Sequence, residues 1–204
     1  MLSSLYVWCR GQDAASEARY CRSTNVVGHI FQTMSQTIEK VIDLRETNDF
    51  LTTARLYCSF IETTDKTDEE FLKETQRIIL NIYQQAIVLP ETTSEYDEDF
   101  EDKLSTEEFE NILKSLNDKF GDNRYYWEIF DPTDEQDKEA VCGDLVDDLG
   151  DIYRDIKRGL ITFDLGTMAS RQDAIWNFKF GLEHHWGRHA ISALKTIHFL
   201  LGWS

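Results

Sequence analysis

Apolar residues recur at helical spacing through most of residues 36–201, and this periodicity constrains the fold more than any other feature of the sequence. In the segment 50–61 they repeat every three or four residues, which places them on one face of an amphipathic helix. Four more segments show the same pattern: 71–89, 109–120, 141–160 and 170–201. The sequence therefore predicts an all-α fold, a helical bundle of five to six helices with a long C-terminal helix.

Little in the sequence favours β-structure. Only 2 prolines and 10 glycines occur among the 204 residues, and convincing alternation of apolar and polar residues is missing. The only candidates for strands are the short segments 6–9 and 161–163. We expect the C-terminal helix to run from about Ser170 to Leu201, with bends where Gly181 and Gly187 weaken it.

Residues that cap helices precede several of the periodic segments. Ser, Thr, Asn and Asp accept hydrogen bonds from the first backbone N–H groups of a helix, and a Glu or Asp three residues later completes a capping box. The predicted starts are Asn48, Thr67 with Glu70, Ser105 with Glu108, Thr133 or Asp134, and Ser170 with Asp173. After residue 120, Gly121 is the expected stop.

The N-terminal segment 1–33 differs from the rest of the chain. It has a net charge of +1 and no sustained apolar period, whereas residues 34–204 carry a net charge of −18. Two alternatives remain open: Met34 is the biological start, or 1–33 is an N-terminal extension that docks loosely. Either way, we expect residues 34–204 to form a single helical domain.

Charge and composition exclude several classes of function. With a net charge of −17 and a pI near 4.6, the chain lacks the excess of Lys and Arg that binds phosphate backbones, so we expect no nucleic-acid partner. No window reaches the roughly 18 apolar residues of a membrane span. The 4 cysteines form no Cys-x-x-Cys pair. These features predict a soluble, cytoplasmic protein without a membrane partner.

Three segments together resemble a known family. They are 125–132 (YYWEIFDP), 147–157 (DDLGDIYRDIK) and 185–194 (HWGRHAISAL), and 49–62 resembles the family's first helix. In this order they are similar to the bacterial family called domain of unknown function 5063, over roughly residues 48–201. The resemblance implies an α-helical fold and no assigned activity, and it brings no site residue with it.

A group of carboxylates on one helix face is the most informative candidate site. Asp144, Asp148, Asp151 and Asp155 follow one another at spacings of three or four residues, so their mutual repulsion needs a counter-charge. One interpretation is structural: cations pair with the carboxylates, and we expect Arg154 or Arg188 to form such an ion pair. Arg171 is a further candidate.

The alternative interpretation is a metal site. His185 and His189 are four residues apart, so both imidazoles can reach one ion. With Asp148 and Asp151 they would hold a divalent transition metal such as Zn, Mn or Fe. No Glu follows His185, and no Glu-x-x-His occurs, so neither the zincin nor the di-iron pattern is present. The sequence implies no other cofactor.

The aromatic residues Tyr125, Tyr126 and Trp127 also have two interpretations. They either close one end of the bundle or form an exposed anchor for a protein partner. The neighbouring segment 91–110, with a net charge of −9, favours a basic partner.

The sequence contains no catalytic motif, so enzymatic activity is not predicted. The favoured function is therefore a protein–protein interaction or regulatory module, and the alternative is a metal-binding or metal-dependent enzymatic bundle. A third class, a binder of small ligands, would require an apolar pocket lined by Trp127, Trp176 or Trp186.

Overall fold

Six α-helices and one β-hairpin make up the part of the chain that the computed structural model describes, residues 41–63, 68–93, 104–136 and 138–202. The helices are α1 (Arg45–Glu62), α2 (Asp68–Ile87), α3 (Thr106–Phe120), α4 (Leu145–Asp164), α5 (Met168–His184) and α6 (Trp186–Leu200). The predicted all-α fold is confirmed. None of the described helices has the length and apolar character needed to cross a bilayer.

The described residues belong to one compact unit, Val41–Ser204. The predictions about 1–33, Met34 and the strand at 6–9 fall outside the described residues, and so does the predicted cap at Thr67.

Helix α4 lies at the centre of the bundle, where it packs against α1, α3, α5 and α6. Its apolar positions are buried, as the helical period predicts. Deep in this core the hydroxyl of Tyr57 donates a hydrogen bond to the carbonyl of Leu149 at 2.9 Å, which joins α1 to α4. Close approach to α5 depends on Gly159, because a Cβ there would lie 2.2 Å from the ring of Phe178.

The helix start predicted at the capping box of Ser105 and Glu108 is correct. Ser105 accepts from the backbone N–H of Glu108, whose carboxylate accepts in return from the backbone of Ser105. At Asn48 the prediction is wrong, because α1 begins three residues earlier and the Asn48 amide donates to the carbonyl of Leu44. At Ser170 it is also wrong, because the cap of α5 is Thr167.

The helix predicted to start at Thr133 or Asp134 begins only at Leu145, and a β-hairpin precedes it. Strand β1 (Tyr125–Ile129) pairs antiparallel with β2 (Ala140–Asp144), and a 3-10 turn (Gly121–Arg124) precedes it. The side chain of Asp144 then caps α4 by accepting from the N–H of Val146. Periodicity missed the strand because four of the five residues of β1 are aromatic or aliphatic, so apolar and polar residues do not alternate clearly along it. The other predicted strand, 161–163, is part of α4.

The predicted long C-terminal helix is two helices that meet at His185. The backbone of His185 has φ −143° and ψ −88°, outside the helical region. Gly187, one of the two predicted bend points, lies just beyond the break, and a Cβ on it would sit 1.9 Å from the carbonyl oxygen of Leu182. Helix α5 continues through Gly181, the other predicted bend point. At the break, the fully buried Trp186 donates to the carbonyl of Phe178 at 3.1 Å.

Candidate metal centre

His185 and His189 meet the carboxylates of α4 at the break between α5 and α6. His185 and His189 each offer one nitrogen and Asp151 one oxygen, and these three atoms all lie within 4.8 Å of one another. The two imidazole rings have centroids 5.0 Å apart and stand nearly edge to face. The break at His185 contributes to this arrangement, because it sets the direction in which α6 leaves α5.

Each imidazole is anchored through its Nδ1 atom to a different aspartate. Nδ1 of His185 lies 2.7 Å from Oδ2 of Asp155, and Nδ1 of His189 lies 2.8 Å from Oδ1 of Asp148. A carboxylate on one ring nitrogen orients the imidazole and makes the other nitrogen a better ligand, as in many metal proteins. With Nδ1 of each ring on a carboxylate, Nε2 is the remaining ring nitrogen available to an ion. Nε2 of His189 lies 3.4 Å from Oδ2 of Asp151.

Asp148 is the most buried carboxylate of the group, with 5% of its surface exposed. Burial raises its pKa, and the hydrogen bonds from His189 and from the hydroxyl of Tyr126 act in the opposite direction. Tyr126 donates to Oδ2 of Asp148 at 2.6 Å. The hydrogen bond to the Asp148 carboxylate raises the pKa of His189 despite partial burial, because it stabilises the imidazolium.

Arginine also contacts the site, and the ion pair expected of Arg154 is present. Arg154 lies 2.5 Å from Oδ1 of Asp151, as predicted, and its guanidinium stacks on Phe109. Arg188 instead stacks on the ring of Phe130, and Arg171 stacks on Phe163. Asp151 thus turns one oxygen to Arg154 and the other toward His189.

The structure changes the roles expected of individual aspartates. Of the predicted ligands, His185, His189 and Asp151 converge, whereas Asp148 orients His189 from the far side of its ring. Asp155, which we did not predict as a site residue, does the same for His185. The sequence did contain a signal for Asp155, because its spacing places it on the same helix face as Asp148 and Asp151. Asp144 stays outside the cluster and pairs with Arg124 at 3.0 Å.

The aromatic residues of β1 are divided between the two faces of the hairpin. Tyr125 is 52% exposed and Trp127 is 70% exposed, so the interpretation that they close the end of the bundle is wrong. Tyr126 faces inward to Asp148. The three tryptophans expected around a ligand pocket lie in different surroundings: Trp127 is exposed, Trp186 is in the core, and Trp176 stacks on Phe180.

Comparisons with known proteins agree with the resemblance seen in the sequence. The solved structure of protein BF1032 from Bacteroides fragilis is similar with a TM-score of 0.68 and 23% identity, over 79% of this chain and 98% of that one. This similarity concerns the fold. No protein of curated function matched the sequence. The family described as "Domain of unknown function (DUF5063)" matches residues 42–202, and the chain therefore belongs to that family.

Proposed function

We propose that this protein is a metal-binding helical bundle in which His185, His189 and Asp151 hold one divalent transition ion. A single observation carries the proposal: potential ligand atoms of these three residues converge within 4.8 Å. The anchoring of each imidazole through Nδ1 supports it, because a carboxylate on Nδ1 holds the ring and leaves Nε2 for coordination.

The donor set narrows the chemistry of the ion. Two imidazoles and one carboxylate suit Zn²⁺, Fe²⁺, Mn²⁺ or Co²⁺ and do not favour Ca²⁺ or Mg²⁺, which prefer oxygen ligands. Three protein ligands leave coordination positions for water or a substrate, which is typical of catalytic rather than structural metal sites. The side chain of His185 is 40% exposed, so solvent reaches one side of the cluster.

A proton and a metal ion compete for Nε2 of His189. In the absence of metal, an imidazolium of His189 satisfies Asp148 through Nδ1 and faces Asp151 through Nε2. A metal ion that replaces the proton on Nε2 keeps the Asp148 contact and adds His185. The ion-pair interpretation and the metal interpretation therefore differ in whether the cluster takes up a metal.

Metal titration of untagged, chelator-treated protein tests the proposal. We expect stoichiometric binding of Co²⁺ or Zn²⁺ by the wild type and its loss in His189→Ala and Asp151→Asn. His184→Ala is the matched control, because His184 belongs to the same segment but stacks on Phe180 outside the cluster. A wild-type protein that binds only a small fraction of an equivalent of either ion contradicts the proposal.

We propose, as a second function, that the outer face of the hairpin contacts a basic protein partner. The supporting observation is a group of exposed apolar side chains at the hairpin: Tyr125, Trp127, Ile129 and Phe130. Exposed aromatic side chains are typical anchors of protein interfaces. Acidic residues follow them directly in the segment 131–139, which holds five carboxylates and one lysine. This charge favours a partner with Lys and Arg around an apolar groove.

Affinity capture with matched variants tests the second proposal. A protein that binds through the hairpin is captured by the wild type and by Phe199→Ala, whose exposed ring lies on α6, and is lost with Trp127→Ala. The captured protein is then purified, and its affinity is expected to fall as salt rises, because opposite charges attract less when screened. Equal capture by Trp127→Ala and the wild type contradicts the proposal.

A further inference from the structure

The hairpin reaches the candidate metal centre through the inner face of strand β1. Tyr126 and Glu128 point inward, whereas Tyr125, Trp127 and Ile129 are exposed. The hydroxyl of Tyr126 donates to Oδ2 of Asp148 at 2.6 Å, while the other oxygen of Asp148 contacts Nδ1 of His189 at 2.8 Å. Tyr126, Asp148 and His189 therefore form a chain that leads from the hairpin to a proposed ligand.

The position of Tyr126 depends on a glycine in the partner strand. Gly143 lies directly opposite Tyr126 in the hairpin register. A Cβ on Gly143 would lie 2.3 Å from Cζ and 2.7 Å from the hydroxyl oxygen of Tyr126, so any side chain there displaces the ring. The absence of a side chain at position 143 lets the ring lie flat across β2 and reach Asp148.

A second contact holds the hairpin without the Tyr126 hydroxyl. Ser192 of α6, which also interacts with the Tyr126 hydroxyl, donates to the carboxylate of Glu128 at 3.0 Å. Because this contact and the β1–β2 pairing remain when the hydroxyl is removed, we expect a phenylalanine at position 126 to leave the hairpin in place. The effect of the hydroxyl on the metal centre is therefore separable from docking of the hairpin.

We propose that Tyr126 is a positioning residue for the metal centre: by holding Oδ2 of Asp148, its hydroxyl keeps Oδ1 on Nδ1 of His189 and directs Nε2 of that ring toward the ion. The inference depends on the proposed metal site. A carboxylate with one fixed oxygen cannot rotate away from the imidazole, so the ligand is pre-oriented. Loss of such an outer contact typically weakens metal binding by about 10- to 100-fold.

Co²⁺ titration of Tyr126→Phe tests the inference, with Tyr125→Phe as the matched control. Both variants remove one phenolic hydroxyl from the same strand, but the ring of Tyr125 is on the exposed face, and its hydroxyl accepts from Arg124. We expect Tyr126→Phe to weaken Co²⁺ binding about tenfold and to alter the visible spectrum of the bound ion. Gly143→Ala is expected to act in the same direction, and Tyr125→Phe to match the wild type.

Imidazole ¹⁵N chemical shifts of the metal-free protein separate this inference from the proposed function. Tyr126→Phe is expected to shift the signals of His189 and to leave those of His185, which is anchored by Asp155, near their wild-type positions. Wild-type affinity and spectrum in Tyr126→Phe, or equal losses in Tyr125→Phe, overturn the inference. A wild type that binds no metal overturns the proposed function, and unchanged His189 shifts then also exclude the Tyr126–Asp148–His189 coupling.

Discussion

His189 is the residue whose protonation links the candidate site to stability. Its ring lies between Asp148 and Asp151, and Asp147 also contributes negative potential. The pKa of His189 in the folded protein is raised above its ordinary value of 6.5, mainly by the hydrogen bond to Asp148. In the unfolded chain these carboxylates are no longer held beside the ring. The folded state therefore binds this proton more tightly than the unfolded state.

The sign of the pH dependence follows from this difference. A raised folded-state pKa contributes stability that is fully present below about pH 6.5 and is lost as pH rises through the folded pKa. We expect the unfolding free energy of metal-free wild type, measured by urea denaturation with a chelator, to fall over that interval. His189→Gln is expected to lack this component. A decline in the variant as steep as in the wild type, or steeper, contradicts the assignment.

At the scale of the element, the break between α5 and α6 determines where the two histidines lie. A continuous helix would carry His185 and His189 on the same face, but α6 would then leave in the direction of α5. Because Gly187 has no Cβ, the carbonyl of Leu182 can lie beside it and the two helix ends can approach closely. Trp186 fills the space inside the break, where its ring also contacts Gly181.

A methyl group at Gly187 is expected to disturb both stability and the site. Because its Cβ would lie 1.9 Å from a backbone oxygen, the helix ends must separate. We expect Gly187→Ala to lower the unfolding free energy by about 3 kcal/mol, the upper part of the usual range for overpacking, and to weaken Co²⁺ binding.

Chemical denaturation and the Co²⁺ titration check this prediction. Lys195→Ala, at an exposed position of the same helix, is the control and is expected to change neither quantity appreciably. A Gly187→Ala protein as stable as the wild type would mean that the backbone relaxes at the break without cost.

At the scale of the whole molecule, the distribution of charge along the chain says more about the candidate site than the net charge does. Residues 131–155 carry a net charge of −8, and part of this charge lies on α4 at the centre of the bundle. In the structure Asp148, Asp151 and Asp155 face the two histidines and Arg154. The acidic face of α4 is therefore paired with two histidines and an arginine, and is not only a solvated surface.

The sequence predicted the elements with a clear helical period and missed those without one. It identified the buried faces of the helices and the capping box at Ser105, because both depend on local spacing. It missed the hairpin, because β1 has aromatic residues on both of its faces and so shows no clear alternation. It predicted one C-terminal helix where there are two, because the steric contact at Gly187 is between residues five apart and leaves no periodic signal.

In the candidate site, too, some features follow from local spacing and others only from tertiary packing. Helical spacing by itself determined that Asp148, Asp151 and Asp155 share one face. It predicted His185 and His189 on one face of a continuous helix, whereas His185 lies at the break between two helices. Only the tertiary structure decided that Asp151 faces both histidines, that Asp148 and Asp155 anchor their Nδ1 atoms, and that Tyr126 holds Asp148. Periodicity assigns residues to a face within one helix, whereas these roles depend on how separate elements pack and on which atoms their side chains present.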